Sequence, residues 1–211
     1  MITILAFAIF IYSVILHEMA HGLVAEHLGD PTARLSKRLT LNPLPHIDWF
    51  MSLLLPLFLI FSGSPIIFGA AKPVPIDPYN LKDPRKNMGL IGLAGPATNL
   101  LLALLFAAIA HFSTSLFPSN FLSSLLFYAV RINIILAVFN LVPIPPLDGG
   151  RILTAVLPDK QASAVSSVEP FGMFILIFLL LFPTRLFSLQ NVIIKITSFI
   201  FGLIFPGSPF V

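Results

Sequence analysis

Long apolar runs constrain this chain more than any other feature. Residues 2–28, 88–111, 121–142, 168–183 and 188–206 are each mostly apolar with few charges. A helix crossing the hydrocarbon layer needs roughly 20 such residues. The chain has 211 residues, 57% hydrophobic and only 10% charged, with a mean hydropathy of +0.97. A soluble domain with that much apolar surface would aggregate, whereas a bilayer absorbs it as solvent. Residues 2–16 lack a basic leader and a small-residue cleavage site, and the helical pattern runs on through His17 and Glu18. They read as a retained membrane helix.

Residues 47–71 are also apolar but are broken by Pro56, Gly63, Pro65 and Gly69. Basic clusters flank them: Arg34, Lys37 and Arg38 before, Lys72, Lys82, Arg85 and Lys86 after. Lys and Arg in short loops mark the cytoplasmic side, so 47–71 is expected to enter the membrane and return on the same side. Irregular backbone at that depth is tolerated only when buried in protein or lining a water-filled cavity. The uncharged link near 112–119 fits the outer side, and Arg151 and Lys160 bring the chain back to the cytoplasm. The expected fold is an all-α polytopic membrane protein of about five to six transmembrane segments with a re-entrant element. It forms a single domain over 1–211, with a motif-bearing core over about 1–157 and C-terminal helices over about 165–211. There are no cysteines, which excludes disulfides, thiolate metal sites and a Cys nucleophile. No basic patch suits nucleic acid.

His17-Glu18-Met19-Ala20-His21 is an HExxH motif. On a helix the two imidazoles lie one turn apart and reach one zinc, and Glu18 then serves as base toward water. HExxH also occurs by chance in soluble helices. Here three polar side chains interrupt an apolar helix, each costing a few kcal/mol in lipid, and a metal would offset that cost. Catalytic zinc usually takes three protein ligands and keeps one position open. His27 nearly completes HExxHxxGxxH, but Val24 stands at the Gly position. On a continuing helix His27 points away from His21, so it reads as interfacial. Asp148 is the other candidate, in Asn140-Leu-Val-Pro143-Ile-Pro145-Pro146-Leu-Asp148-Gly149-Gly150. The prolines break the preceding helix and present a carboxylate where a helix would not. The same residues read equally well as a cytoplasmic turn with Asp148 capping the next helix. In Gly95-Pro96-Ala97-Thr98-Asn99, Gly95 permits close helix packing. Asn99 reads either as a donor to an oxyanion or substrate or as interhelical glue.

The chain resembles the site-2 protease family of intramembrane metalloproteases in its short form. The resemblance rests on HEMAH at 17–21, GPATN at 95–99 and NLVPIPPLDGGR at 140–151. The stretches GDPTARLSKRLTLNPLPHID and AKPVPIDPYNLKDPRKN add to it, and together they cover most of 15–151. It implies that His17, His21 and Asp148 bind one catalytic Zn2+ and that Glu18 is the general base. It implies that Asn99 and Asn140 place the substrate or stabilise its oxyanion, and that 63–76 form a small membrane-embedded β element. The implied activity is hydrolysis of peptide bonds in or near transmembrane segments of membrane proteins or signal-peptide remnants, in the inner membrane of a prokaryote and toward the cytoplasmic face. The chain carries no PDZ-like or CBS-like insertion, so substrate filtering is expected from the membrane part itself. Two rivals are a zinc transporter, disfavoured by the apolar outer half of the helices, and an inactive membrane scaffold, disfavoured by the intact Glu18.

Overall fold

The computed structural model describes residues 2–62, 69, 71–116, 121–182 and 188–206. The first helix, α1 (Ile2–His27), is 26 residues long, about 39 Å. Its polarity is inverted relative to a soluble helix. Ser13, His17 and His21 recur every fourth residue, so they share one stripe, and all three are buried. Ile4, Phe7 and Tyr12 lie on exposed faces. An apolar exterior suits lipid, and the polar stripe turns inward where protein can satisfy it.

The partners of that stripe are α4 (Pro84–Leu116) and α5 (Phe121–Asn140). α4 presents small residues at its contacts: Gly95 toward His17 and His21, Gly89 and Gly92 toward residues 148–155, and Ala103, Ala107 and Ala110 in the apolar core. Small side chains let helix backbones approach closely, which favours association in lipid. α5 buries Leu126, Ala129, Val130, Asn133, Ile134, Ala137 and Val138 at helical spacing. The short α6 (Asp148–Val156) packs against α4, where a Cβ on Gly89 would meet Ala155 and one on Gly92 would lie 3.2 Å from Arg151 Cβ. Farther along are α7 (Asp159–Ser167), α8 (Glu169–Leu181) and α9 (Leu189–Ile204). α9 packs on α5, with Phe201 and Phe205 edge-on to Phe127.

A clasp closes one end of the bundle. It comprises α2 (Thr32–Leu35), the loop through His46, and an irregular stretch over 71–77. Asp30 is wholly buried. It accepts from Thr32 N at 3.1 Å, Asn80 Nδ2 at 2.8 Å, Asp77 N at 2.8 Å, and the Thr32 hydroxyl. Burial alone would raise its pKa, but these hydrogen bonds outweigh it and hold the carboxyl below its ordinary value. His46 is buried within the clasp, with Nε2 2.9 Å from Thr40 O. Lys72 N donates to His46 O at 2.9 Å, so the two flanks of residues 47–71 meet. Between them lie a π-helical turn (Trp49–Leu54) and α3 (Leu55–Phe61).

The protein is all-helical among the described residues. Three helices are long and apolar enough to cross a membrane: α1, α4 and α5. There are up to four if α7 and α8, bent by 66°, make one broken span. α9 has only 16 residues, about 24 Å, short of the hydrocarbon thickness. The five to six crossings expected from hydropathy are therefore not reached by length and composition. The bend at Val168 and the shortness of α3 and α9 are the reasons. The expected β element over 63–76 falls largely on residues 63–68 and 70, outside the described residues. The described part, 69 and 71–76, carries no strand pairing.

Candidate metal centre

The HExxH helix delivers its two imidazoles as its spacing requires. His17 Nε2 and His21 Nε2 lie 3.1 Å apart. The opposite ring nitrogens are held by acceptors: His17 Nδ1 bonds Asn99 Oδ1 at 2.6 Å, and His21 Nδ1 bonds Ile91 O at 2.7 Å. Because both partners are oxygen acceptors, Nδ1 carries the proton in each ring. The Nε2 lone pairs are then free and convergent, the arrangement that outer partners impose on metal-binding histidines.

Asn99 is oriented in turn. Its Nδ2 donates to Asn133 Oδ1 at 3.0 Å and to Ser13 O at 3.4 Å. Asn133 Nδ2 donates to Ser13 Oγ at 3.0 Å and Ala129 O at 2.9 Å. Asn99 and Asn133 are both fully buried. This ladder ties α1, α4 and α5 together and fixes the His17 tautomer from behind. Asn99 therefore does not line the cavity in front of the imidazoles; its amide is spent within the protein.

Asp148 reaches the same point from α6. Its Oδ2 lies 3.1 Å from His17 Nε2 and 3.2 Å from His21 Nε2. The turn that brings it there depends on close backbone approach. A Cβ on Gly149 would collide with the carbonyls of Leu141 and Val142, and one on Gly150 would lie 2.6 Å from Pro145 N. The proline-broken segment 141–147 thus folds back on the start of α6. Arg151 Nη1 stands 3.7 Å from Asp148 Oδ1.

These three donors fit zinc. Their ligand atoms all lie within 4.8 Å of one another, and all three residues are buried. A tetrahedral ion with bonds of about 2.0–2.1 Å holds its ligand atoms roughly 3.3 Å apart, close to the 3.1–3.2 Å edges here. Asp148 Oδ2 is buried without a hydrogen-bond partner, which is costly unless a cation meets it. Gly95 leaves the room: a Cβ there would lie 2.5 Å from His21 Nε2 and 2.6 Å from His17 Nε2. His27, the rival ligand, is exposed at the end of the unbroken α1 and stands outside this group.

A cavity of about 110 Å3 opens in front of the donors. Glu18, Val74, Asn140 and Arg151 are among the residues lining it with the three donors. Glu18 Oε2 accepts from Val74 N at 2.9 Å. Asn140 Nδ2 donates to Leu136 O at 2.9 Å, leaving the rest of its amide at the cavity wall. Several contributors escaped sequence reasoning: Ser13 behind His17, Ile91 O behind His21, and the strap carrying Val74. The four-residue spacing of Ser13, His17 and His21 was a usable signal for the first of these. Nothing local marks a carbonyl or an amide N–H as functional.

Comparison with known proteins agrees with this chemistry. The model of Peptidase family M50 matches residues 5–121 and 114–183. YwhC of Bacillus subtilis (strain 168), provisionally named a zinc metalloprotease, is 36% identical over 190 residues, covering 84% of this chain and 80% of YwhC. Rip2 of Mycolicibacterium smegmatis, likewise named, is 32% identical over 180 residues, or 85% of this chain and 68% of Rip2. Zinc metalloprotease MJ0392 of Methanocaldococcus jannaschii is 28% identical over 198 residues, 92% of this chain and 47% of that protein. No solved structure matches the chain. A membrane-buried HExxH helix facing a carboxylate, matched by a family model over most of its length, places this integral membrane protein in Peptidase family M50, the site-2 protease family of zinc metalloproteases.

Proposed function

We propose that His17, His21 and Asp148 hold the catalytic zinc of an intramembrane endopeptidase, with Glu18 as its general base. The observation that carries this assignment is the convergence of two Nε2 lone pairs and an orphaned carboxylate oxygen within 3.2 Å. Zinc bound there supplies Lewis-acid chemistry, acidifying water and polarising a carbonyl.

The chain's own residues do the rest. Glu18 accepts the proton of the attacking water and passes it to the leaving amine as the peptide bond breaks. Asn99 holds the His17 ring with its proton on Nδ1. Asn140, at the cavity wall, is placed to hydrogen-bond the substrate backbone. Arg151 offsets the charge of Asp148 from outside. His17 lies about 15 Å from the end of α1 at His27, taking 1.5 Å per residue. The reaction centre then sits inside the bilayer, and the cavity is its water supply. A small cavity of this kind admits an unwound chain and excludes a helix, so the substrate segment must lose helical structure before cleavage. The substrates are membrane proteins or signal-peptide remnants with such segments.

Metal removal tests the assignment. Purified protein incubated with a model transmembrane substrate is expected to cleave it, to stop after exhaustive chelation, and to recover with added zinc. Cleavage that persists in the fully metal-free protein would refute the metalloprotease chemistry of this cluster.

The topology is part of the same reading. The His46–Lys72 hydrogen bond joins the flanks of 47–71, which supports a re-entrant segment with both ends on the cytoplasmic side. A further crossing beyond α1, α4 and α5 is formed by the bent α7–α8 pair. Lys37 and Lys82 are both exposed, and the chain has no cysteine to interfere. Cysteines placed singly at these positions are expected to react with an impermeant thiol reagent from the cytoplasmic side alone. Labelling from opposite faces would make 47–71 a true span.

A further inference from the structure

The strap over 71–77 is held at three points, and the middle one is the proposed base. Lys72 N donates to His46 O. Asp77 N donates to buried Asp30 Oδ2. Between them Val74 N donates to Glu18 Oε2 at 2.9 Å. Pro73 and Pro75 flank Val74. They remove the neighbouring N–H donors and bias Lys72 and Val74, each preceding a proline, to extended backbone. Val74 therefore offers the one amide donor between Lys72 and Ile76, on a stiff segment whose lateral position decides where Glu18 is held. The Val74 side chain is also buried and lies against Gly22, where a Cβ would come 3.1 Å from Val74 Cγ1.

The lateral position is set by Arg38. Lys37 adopts a left-handed backbone, φ 54, and Arg38 N closes the turn on Ala33 O at 3.0 Å. This turn sends the Arg38 side chain inward, where the residue is only 7% exposed. Arg38 Nη2 donates to Lys72 O at 2.6 Å, while Nε is buried without a partner. Burial pushes the guanidinium below its ordinary pKa, and the negative charge of Glu18 acts in the opposite sense. A neutral donor would satisfy one carbonyl with a smaller desolvation cost. A full charge buried beneath the strap, within electrostatic reach of Glu18, calls for a role beyond packing.

We infer that Arg38 is a positioning residue for Glu18: through Lys72 O it fixes the strap, so that Val74 N–H fixes one carboxylate oxygen of the base. Glu18 Oε1 then has no protein partner among the described residues and is left for the proton it must take. The inference rests on the reading of Glu18 as the base. It adds a residue from outside HEMAH at 17–21, GPATN at 95–99 and NLVPIPPLDGGR at 140–151.

Variants at Arg38 and Val74, read by kinetics, zinc content and hydrogen exchange, test it. Arg38→Met keeps side-chain bulk and removes donor and charge; Val74→Pro removes the N–H and leaves Arg38 in place. On a model transmembrane substrate, each is expected to lower kcat by about 100-fold, the scale for misplacing a reacting group by about 1 Å. KM and zinc content should stay near wild type, and Arg38→Lys should recover most of the loss. The double variant should be no worse than the weaker single, because both cut one tether. Hydrogen exchange of 71–77 should accelerate in Arg38→Met while α1 stays protected. The inference is overturned by a kcat for Arg38→Met within twofold of wild type, by additive losses in the double variant, by zinc lost in step with kcat, or by unchanged exchange in the strap. Wild-type protein that fails to cleave at all would instead remove the assignment of Glu18, while the exchange measurement would still report on the tether.

Discussion

Glu18→Gln is expected to abolish proteolysis while the purified protein keeps its full complement of zinc. The two halves of this result follow from different geometry. Glu18 is outside the His17, His21 and Asp148 group, so the variant leaves every donor in place. Gln matches Glu in shape, and its side-chain oxygen still accepts the Val74 N–H that Glu18 Oε2 accepts at 2.9 Å. The strap therefore stays. What disappears is the basic oxygen that takes the water proton and returns it to the leaving amine. General-base and general-acid assistance each contribute roughly 10²–10⁴-fold, so a loss of several orders of magnitude is expected. Metal analysis alongside a cleavage assay decides it. A variant that retains substantial activity with unchanged zinc would show that another group moves the proton.

Asp148→Ala is expected to lose most of its zinc and all of its activity, while His27→Ala keeps both close to wild type. Asp148 Oδ2 sits 3.1 Å and 3.2 Å from the two Nε2 atoms, so its removal takes one of three donors. It also leaves two buried imidazoles facing one another without a counterion. Metal binding energy is folding energy in such sites, and the Asp148 variant should unfold at a lower temperature than wild type. His27 lies six residues beyond His21 on an unbroken helix and is exposed. Six residues turn a helix by roughly 600°, well off the face of His21, so truncating His27 removes no donor. Zinc content and thermal midpoints of the two purified variants check both arms. Zinc lost from His27→Ala and kept in Asp148→Ala would displace the third ligand and undo the placement of α6 against α1.

The parts of the site that lie on one helix were legible from spacing. His17, Glu18 and His21 needed only the 3.6-residue repeat, and α1 runs through them without a break. Asp148 was open between ligand and helix cap on its residues alone. Prolines show that a chain turns but give no direction to the turn. Its direction is set by Gly149 and Gly150 packing beneath the carbonyls of 141–145, contacts across a loop that no local pattern encodes. Asn99 carried the opposite lesson. A polar residue in an apolar helix reads equally as a substrate contact or as support for another side chain. Its burial against His17, Asn133 and Ser13 supports the second reading. The span count stayed open for a related reason. Hydropathy records how apolar a segment is, and the 66° bend between α7 and α8 depends on what they pack against.

By itself the sequence determined the solvent, the helical class and the pair of imidazoles proposed as zinc ligands. Each follows from quantities local in the chain: length of apolar run, helical repeat, and the cost of polar groups in lipid. Tertiary structure alone chose which carboxylate lies beside the two imidazoles, which amide meets His17, and which backbone N–H meets Glu18. Those choices join α1 to α4, α5, α6 and the 71–77 strap across separations of 56 to 131 residues. They depend on helix packing and loop closure, which place side chains relative to one another only once the whole bundle has formed.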